Sequence, residues 1–351
     1  MKTSFTLLAT LLFIQFQLSA QEIEKKIVQR TYSTNFDEFI EADLNNDGID
    51  DYIGQNGTII WFEGTASYTL GSMHVVIAET ANDMAKIEAV DINNDGYLDI
   101  VYNNSLTDFN MEWIANPGPG TDEWEKFTIP GTYNRRIGFF DVDADDDVDF
   151  VYEDYSSYLG YRENIGGVFN VTHTIPDTYS TLSSSRAADI DQDGDTDWVG
   201  YFNDCCTKYF KNNGNGTFTA STASSDEYNS WITTVDVSSD GYADVVYYYN
   251  DDLEVSVFNP VTNTFGPALY FGDIDDLVKM INQDIDSDGD LDILLLHYIE
   301  YGGLHLTLSW IENTGVAMTI DDMVPLLFSV EENMNFYHFF DFNKSYLISN
   351  N

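Results

Sequence analysis

The chain has 351 residues, 43% hydrophobic and 15% aromatic, enough for a large packed core and too apolar for a disordered solvating tail. Its 60 acidic and 14 basic residues give a formal net charge of −46, which argues against a basic nucleic-acid-binding face and against attraction to anionic lipid. Its two cysteines, Cys205 and Cys206, are adjacent and cannot supply a disulfide framework. They read as hairpin-turn residues without mechanistic weight, with an inter-chain bridge or a vicinal redox pair as alternatives.

Residues 1–20 have the pattern of a secretory signal: Lys2, an apolar run from Phe5 to Phe16, and small residues ending at Ala20. Cleavage near Ala20 predicts a secreted or cell-surface protein, in a compartment where calcium is commonly millimolar. The run is short for a membrane span, and no other segment approaches the length of one.

Beyond it, six nine-residue loops of oxygen-bearing side chains follow one another. Their first residues are Asp43, Asp91, Asp141, Asp189, Asp236 and Asp284, at intervals of 48, 50, 48, 47 and 48 residues. Such a fixed period marks a repeat architecture, so one array is expected in place of two or three domains. Hard cations of the calcium type take six to eight oxygens, and positions 1, 3, 5, 7 and 9 of each loop supply them, position 7 through its backbone carbonyl. The candidate ligands in loop one are Asp43, Asn45, Asp47, Ile49 and Asp51. In loop two they are Asp91, Asn93, Asp95, Tyr97 and Asp99, and in loop three Asp141, Asp143, Asp145, Asp147 and Asp149. Loop four offers Asp189, Asp191, Asp193, Asp195 and Asp197, and loop five Asp236, Ser238, Asp240, Tyr242 and Asp244. Loop six offers Asp284, Asp286, Asp288, Asp290 and Asp292. Up to six Ca2+ ions are expected. The loops hold 26 of the acidic residues, so much of the charge is ligand.

Position 6 is Gly except in loop three, where Asp146 must take the left-handed turn; that loop is expected to close, less tightly than the others. Carboxylates about 5 Å apart repel by roughly 3 kcal/mol at an effective dielectric near 20. Metal binding and local folding should therefore be linked. The loops are not EF-hands, because position 12 is Gly54, Tyr102, Tyr152, Gly200, Tyr247 or Leu295, never a bidentate Glu.

Each loop lies between an alternating strand, such as Lys86–Asp91, and a short apolar strand, such as Asp99–Tyr102. A third strand carries an aromatic cluster and often ends in Asn: Trp113–Asn116, Tyr161–Asn164, Tyr209–Asn212 and Trp310–Asn313. Weaker copies are Trp61–Gly64 and Val257–Asn259. A Gly-bearing turn and a fourth strand, such as Phe169–Thr174, complete the unit. Four short strands in about 48 residues are the content of one propeller blade. The aromatic clusters are read as blade-to-blade core and the Asn as a turn cap.

The loops and the aromatic-x-Asn strands resemble the FG-GAP/VCBS repeat family, the integrin-alpha-like calcium-binding β-propellers of the secreted bacterial type, over roughly residues 36–325. The resemblance implies an all-β propeller of four-stranded blades with structural calcium, its ligands bound elsewhere on the surface. A seventh loop is expected near residue 332. The nearest candidate, around Asp341, lacks the Asp-Gly turn and is expected to carry no metal. Residues 24–30 could supply a strand to that degenerate blade. Residues 21–351 are thus expected to form one propeller of seven blades closed by the N-terminal strand, the alternative being six blades.

Three functions follow as expectations. The first is an exported, monomeric, non-catalytic binding or adhesion module for an extracellular protein or glycan, with no nucleic acid or membrane span. Its ligand would meet the longer connections at 103–110, 117–125, 177–185 and 222–230. The second is a polysaccharide lyase or hydrolase, for which His297 and His305, flanking the turn at 301–303, are the candidate bases. The third is a purely structural cell-surface repeat protein. No nucleophile elbow, zinc-protease or phosphate-loop motif is present in the sequence.

Overall fold

The repeats alternate β-branched and aromatic runs with tight turns, Asx-Gly in all but the third acidic loop, so each backbone pairs with itself in antiparallel hairpins. The computed structural model describes residues 38–330, apart from 56–57, 66–70, 78–86, 105–109, 121–122, 132, 177–180, 204, 225–230, 275, 285–288, 301–303, 316 and 319–322. Among the described residues there are 26 strands, β1 to β26 in chain order, and no helix. The expected signal segment, the strand at 24–30 and the Asp341 copy lie outside them.

The strands form six four-stranded antiparallel sheets, each built from neighbours in sequence. The first strands are β1 (Glu38–Ala42), β5 (Ile87–Val90), β9 (Tyr133–Phe140), β13 (Leu182–Ala188), β17 (Trp231–Val235) and β23 (Leu277–Gln283). The second strands are β2 (Asp51–Gln55), β6 (Asp99–Asn104), β10 (Asp149–Asp154), β14 (Asp197–Phe202), β18 (Asp244–Tyr249) and β24 (Asp292–Glu300). Each acidic loop joins a first strand to a second, and each second strand begins on the loop's ninth residue. Sheet five departs slightly, with a small hairpin of β20 (Phe258–Asn259) and β21 (Thr264–Phe265) inserted before its outer strand.

First strands of successive sheets lie side by side: β1 with β5, β9 with β13, β13 with β17, and β17 with β23. Arg186 of β13 reaches past sheet five to the Met280 carbonyl of β23, 3.4 Å away. The arrangement is propeller-like, with the first strands innermost.

The core lies between sheets. Ile53, Trp61, Ile87 and Ile114 pack sheets one and two together, and Trp113, Met111, Phe150 and Phe169 pack two and three. Tyr161, Leu182, Trp198 and Phe210 fill the space between three and four. Tyr209, Ile232, Tyr247 and Phe258 join four to five, and Val246, Leu253, Met280 and Leu295 join five to six. The third-strand aromatics Trp61, Trp113, Tyr161 and Tyr209 are thus blade-to-blade core, as their recurrence predicts. Their size suits the wedge between twisted sheets.

Candidate metal centres

The left-handed turn at position 6 is present in all six loops. Gly48, Gly96, Gly194, Gly241 and Gly289 have φ between 84° and 102°, and Asp146 has φ 70°. Loop three closes on the same hydrogen bond as its neighbours, Asp146 N to Asp141 Oδ2 at 3.0 Å. Asp tolerates this region because its short polar side chain can bond locally. Position 4 is left-handed too, at Asn46, Asn94, Ala144, Gln192 and Ser239. The sequence pattern gave no sign of this second special position, since four residue types fill it.

The loop carboxylates are held by backbone amides. At position 1, Asp43 accepts from Asp47 N and Gly48 N, and Asp91 from Asp95 N and Gly96 N. Asp236 repeats the pair with Asp240 N and Gly241 N. At position 5, Asp47, Asp95, Asp145, Asp193 and Asp240 each accept the amide of position 7 through Oδ1, and in Asp193 Oδ2 is met by Lys211 Nζ.

Position 9 does two jobs. Asp51, Asp99, Asp149, Asp197, Asp244 and Asp292 are fully buried. In the first four repeats, Oδ2 accepts the amide of loop position 2 (Leu44, Ile92, Val142, Ile190) at 2.9–3.2 Å. Oδ1 accepts the amide at or just past the end of the third strand, from Gly64, Asn116, Asn164, Asn212 or Asn313, and in sheet five that of Phe258 in β20, at 2.7–2.9 Å. The carboxylate therefore ties the loop, the second strand and the third strand of its own sheet. Sequence reasoning assigned it only to a cation. Burial raises the pKa of these groups, against the lowering effect of the backbone bonds: to about 6 in Asp51 and Asp244, and to about 7 in Asp99, Asp149 and Asp197.

The recurring Asn binds neighbouring sheets. Asn116 Nδ2 donates to Leu44 O of the preceding repeat's loop at 2.8 Å and to Leu98 O of its own at 3.0 Å. Asn164 does the same with Ile92 O at 2.7 Å and Val148 O at 3.1 Å. Each Asn also caps its turn through Oδ1, to Gly118 N or Gly167 N. Repeat one has Gly64 instead because a Cβ there would lie 2.0 Å from the Asp50 carbonyl oxygen. Position 4 adds a second link: Asn46 Nδ2 donates to Gly96 O at 2.6 Å, Asn94 Nδ2 to Asp146 O at 3.3 Å, and Gln192 Nε2 to Gly241 O.

In loops three and four, carboxylate oxygens of positions 1, 3 and 9 come within 4.8 Å of one another: Asp141, Asp143 and Asp149, then Asp189, Asp191 and Asp197. Asp143 Oδ1 and Asp191 Oδ1 are buried there without a hydrogen-bond donor. A buried carboxylate oxygen with no donor is costly unless a cation meets it. The donor set is hard oxygen throughout, so the loop-three residues fit calcium, whereas in loop four the Lys211 ammonium already contacts Asp191 and Asp193. In loops one, two and five, position 3 is the neutral Asn45, Asn93 or Ser238, and Asn45 Oδ1 and Asn93 Oδ1 accept the position-5 amide. Of loop six, residues 285–288 lie outside the described residues, including the candidate ligands Asp286 and Asp288.

His297 and His305 are not cross-strand partners. The register of β24 with β25 (Leu304–Ile311) sets His297 opposite Thr307 and His305 opposite Ile299. His297 is buried and its Nε2 lies 3.0 Å from Ser309 Oγ, a position within the sheet rather than on its rim. Cys205 and Cys206 are joined to each other by a disulfide at the hairpin between β14 and β15 (Cys206–Asn212). Of the longer connections singled out in the sequence, residues 105–109, 121–122, 177–180 and 225–230 lie outside the described residues. The strand leading into one of them, Thr222–Ser224, lines with Phe265–Ala268 a cavity of about 390 Å³.

These features define an all-β protein of propeller-like sheets, each opened by an acidic loop. Residues 43–102, which run from loop one through loop two, match the FG-GAP-like repeat, and the chain carries that repeat. Among solved structures, the chain is similar to the BP39L lectin from Burkholderia pseudomallei, with 11% identity, 84% of each chain covered and a TM-score of 0.55. It is also similar to BBS1N in its complex with ARL6DN, with 12% identity, coverage of 86% of this chain and 94% of that one, and a TM-score of 0.49. A third is the allergen Mala s 1 of Malassezia sympodialis, at 8% identity, 74% and 86% coverage and a TM-score of 0.44. With the lectin, at 11% identity, the likeness is one of fold. No curated protein matches the chain.

Proposed function

We propose that this chain is an exported, calcium-stabilised β-propeller that acts as a non-catalytic binding module for an extracellular protein or glycan. In this reading residues 1–20 are a cleaved signal, residues 21–351 form a single monomeric propeller of seven blades, and the N-terminal strand completes the last blade. Calcium holds the loops, and recognition takes place on other surface connections. The observation that carries the reading is the buried, donorless Asp143 Oδ1 within the converging carboxylate group of loop three. Such a group favours the closed loop when a divalent cation neutralises it. The fold shared with a lectin fits glycan recognition as one use of such a scaffold, although folds host many functions.

The test is a glycan and matrix-protein array probed with the full chain in millimolar calcium and again with chelator. The reading predicts discrete signals that disappear with chelator. Turnover of an arrayed polysaccharide, lost in His297→Ala, would instead make the protein an enzyme.

A further inference from the structure

Loop four is distinguished by a residue outside it. Lys211 precedes Asn212 at the end of β15, and its ammonium contacts both Asp191 Oδ2 and Asp193 Oδ2, the side chains of loop positions 3 and 5. The side chain of Asp191 is 8% exposed and that of Lys211 20% exposed, so that contact is largely withdrawn from solvent, while Asp193 is 36% exposed. The strand register accounts for the reach. Asn212 N donates to Asp197 Oδ1 at 2.7 Å, which anchors the end of β15 against loop four.

No other repeat places a base there. The residue before the recurring Asn is Ala115, Glu163 or Glu312, in repeat one Glu63 precedes Gly64, and in repeat five Val257 precedes Phe258. Loop three provides the internal comparison. It has Asp at the same four side-chain positions and the same converging oxygens, but Glu163 stands where repeat four has lysine. Two of the carboxylates that a cation in loop four would need are therefore already bound by a fixed positive charge. A divalent ion sharing them with the ammonium would meet a like charge at close range, with little water between to screen it.

We propose that Lys211 is a built-in cation of loop four: it neutralises Asp191 and Asp193 and keeps divalent metal out of that loop, while the otherwise equivalent loop three takes one. Loop four then stays closed when calcium is removed. The proposal rests on the calcium reading given above for the remaining loops.

Bound calcium is to be counted by equilibrium dialysis of the full chain against millimolar calcium followed by elemental analysis. Wild type is compared with Lys211→Met and with Lys208→Met, a lysine on the same strand that contacts Phe202. Lys211→Met is expected to hold one more ion per chain than wild type, and Lys208→Met the wild-type number. Adding Asp191→Asn to Lys211→Met should remove the extra ion. Equal counts in wild type and Lys211→Met overturn the proposal. A wild-type chain with no bound calcium overturns the calcium reading instead, so the two failures are distinct. If Lys211→Met does not fold, the wild type supplies the readout through amine labelling of Lys211, followed by mass spectrometry with and without calcium. Equal low labelling in both supports the proposal, and a several-fold rise in calcium, reporting displacement of the ammonium, overturns it.

Discussion

Asn164 shows how much one side chain can hold in this architecture. Its amide nitrogen bonds a carbonyl in the preceding repeat's loop and one in its own, its oxygen caps the Gly167 turn, and its backbone amide meets Asp149. Asn164→Ala removes the three side-chain bonds and strands the buried Ile92 carbonyl and the part-buried Val148 carbonyl, which should cost about 2–4 kcal/mol. Asn170→Ala, at an exposed position in the same repeat, should fall within about 0.5 kcal/mol of wild type. Urea denaturation measures both, and equal midpoints would contradict the role given to Asn164. The sequence made Asn164 visible as a turn cap, because the Asn-x-x-Gly spacing is local. Its bond to Ile92 O was not legible, since that partner lies 72 residues away.

At the scale of the element, each second strand begins on a buried carboxylate that doubles as a hydrogen-bond hub. The sequence showed these residues as the last of six recurring ligand positions. It did not show that backbone amides from two other parts of the same sheet converge on them, because amides leave no mark in a residue pattern. Burial first, opposed by those bonds, raises Asp99, Asp149 and Asp197 to about 7 and Asp51 and Asp244 to about 6, against about 4 in an unfolded chain. Between these values the folded state binds more protons than the unfolded one. Their contribution to stability is therefore complete below about pH 4 and is lost as pH rises through 6 to 7. Chelated protein should accordingly melt at a lower temperature at pH 8 than at pH 5. On the proposed reading calcium binds the ionised form, so its stabilising increment should grow over the same interval. Melting curves at the two pH values, with and without calcium, decide the matter; a chelated protein more stable at pH 8 would contradict it.

For the molecule as a whole, the period near 48 residues made the four-stranded unit legible, and the aromatic third strands made its core legible. The order in which loops are coupled was not, because position 4 varies among Asn, Ala, Gln and Ser. Asn46, Asn94 and Gln192 each reach the following loop, whereas Ala144 has no side-chain donor to do so. The central claim is that cations in these loops hold the sheets together. Each site filled at about 100 times its dissociation constant adds roughly 2.7 kcal/mol, and several such sites should shift melting by about 10 °C or more. Calorimetry of the full chain in millimolar calcium and in excess chelator is the most direct measurement. The account predicts a large drop in melting temperature on chelation, restored by added calcium; an unchanged melting temperature would contradict it.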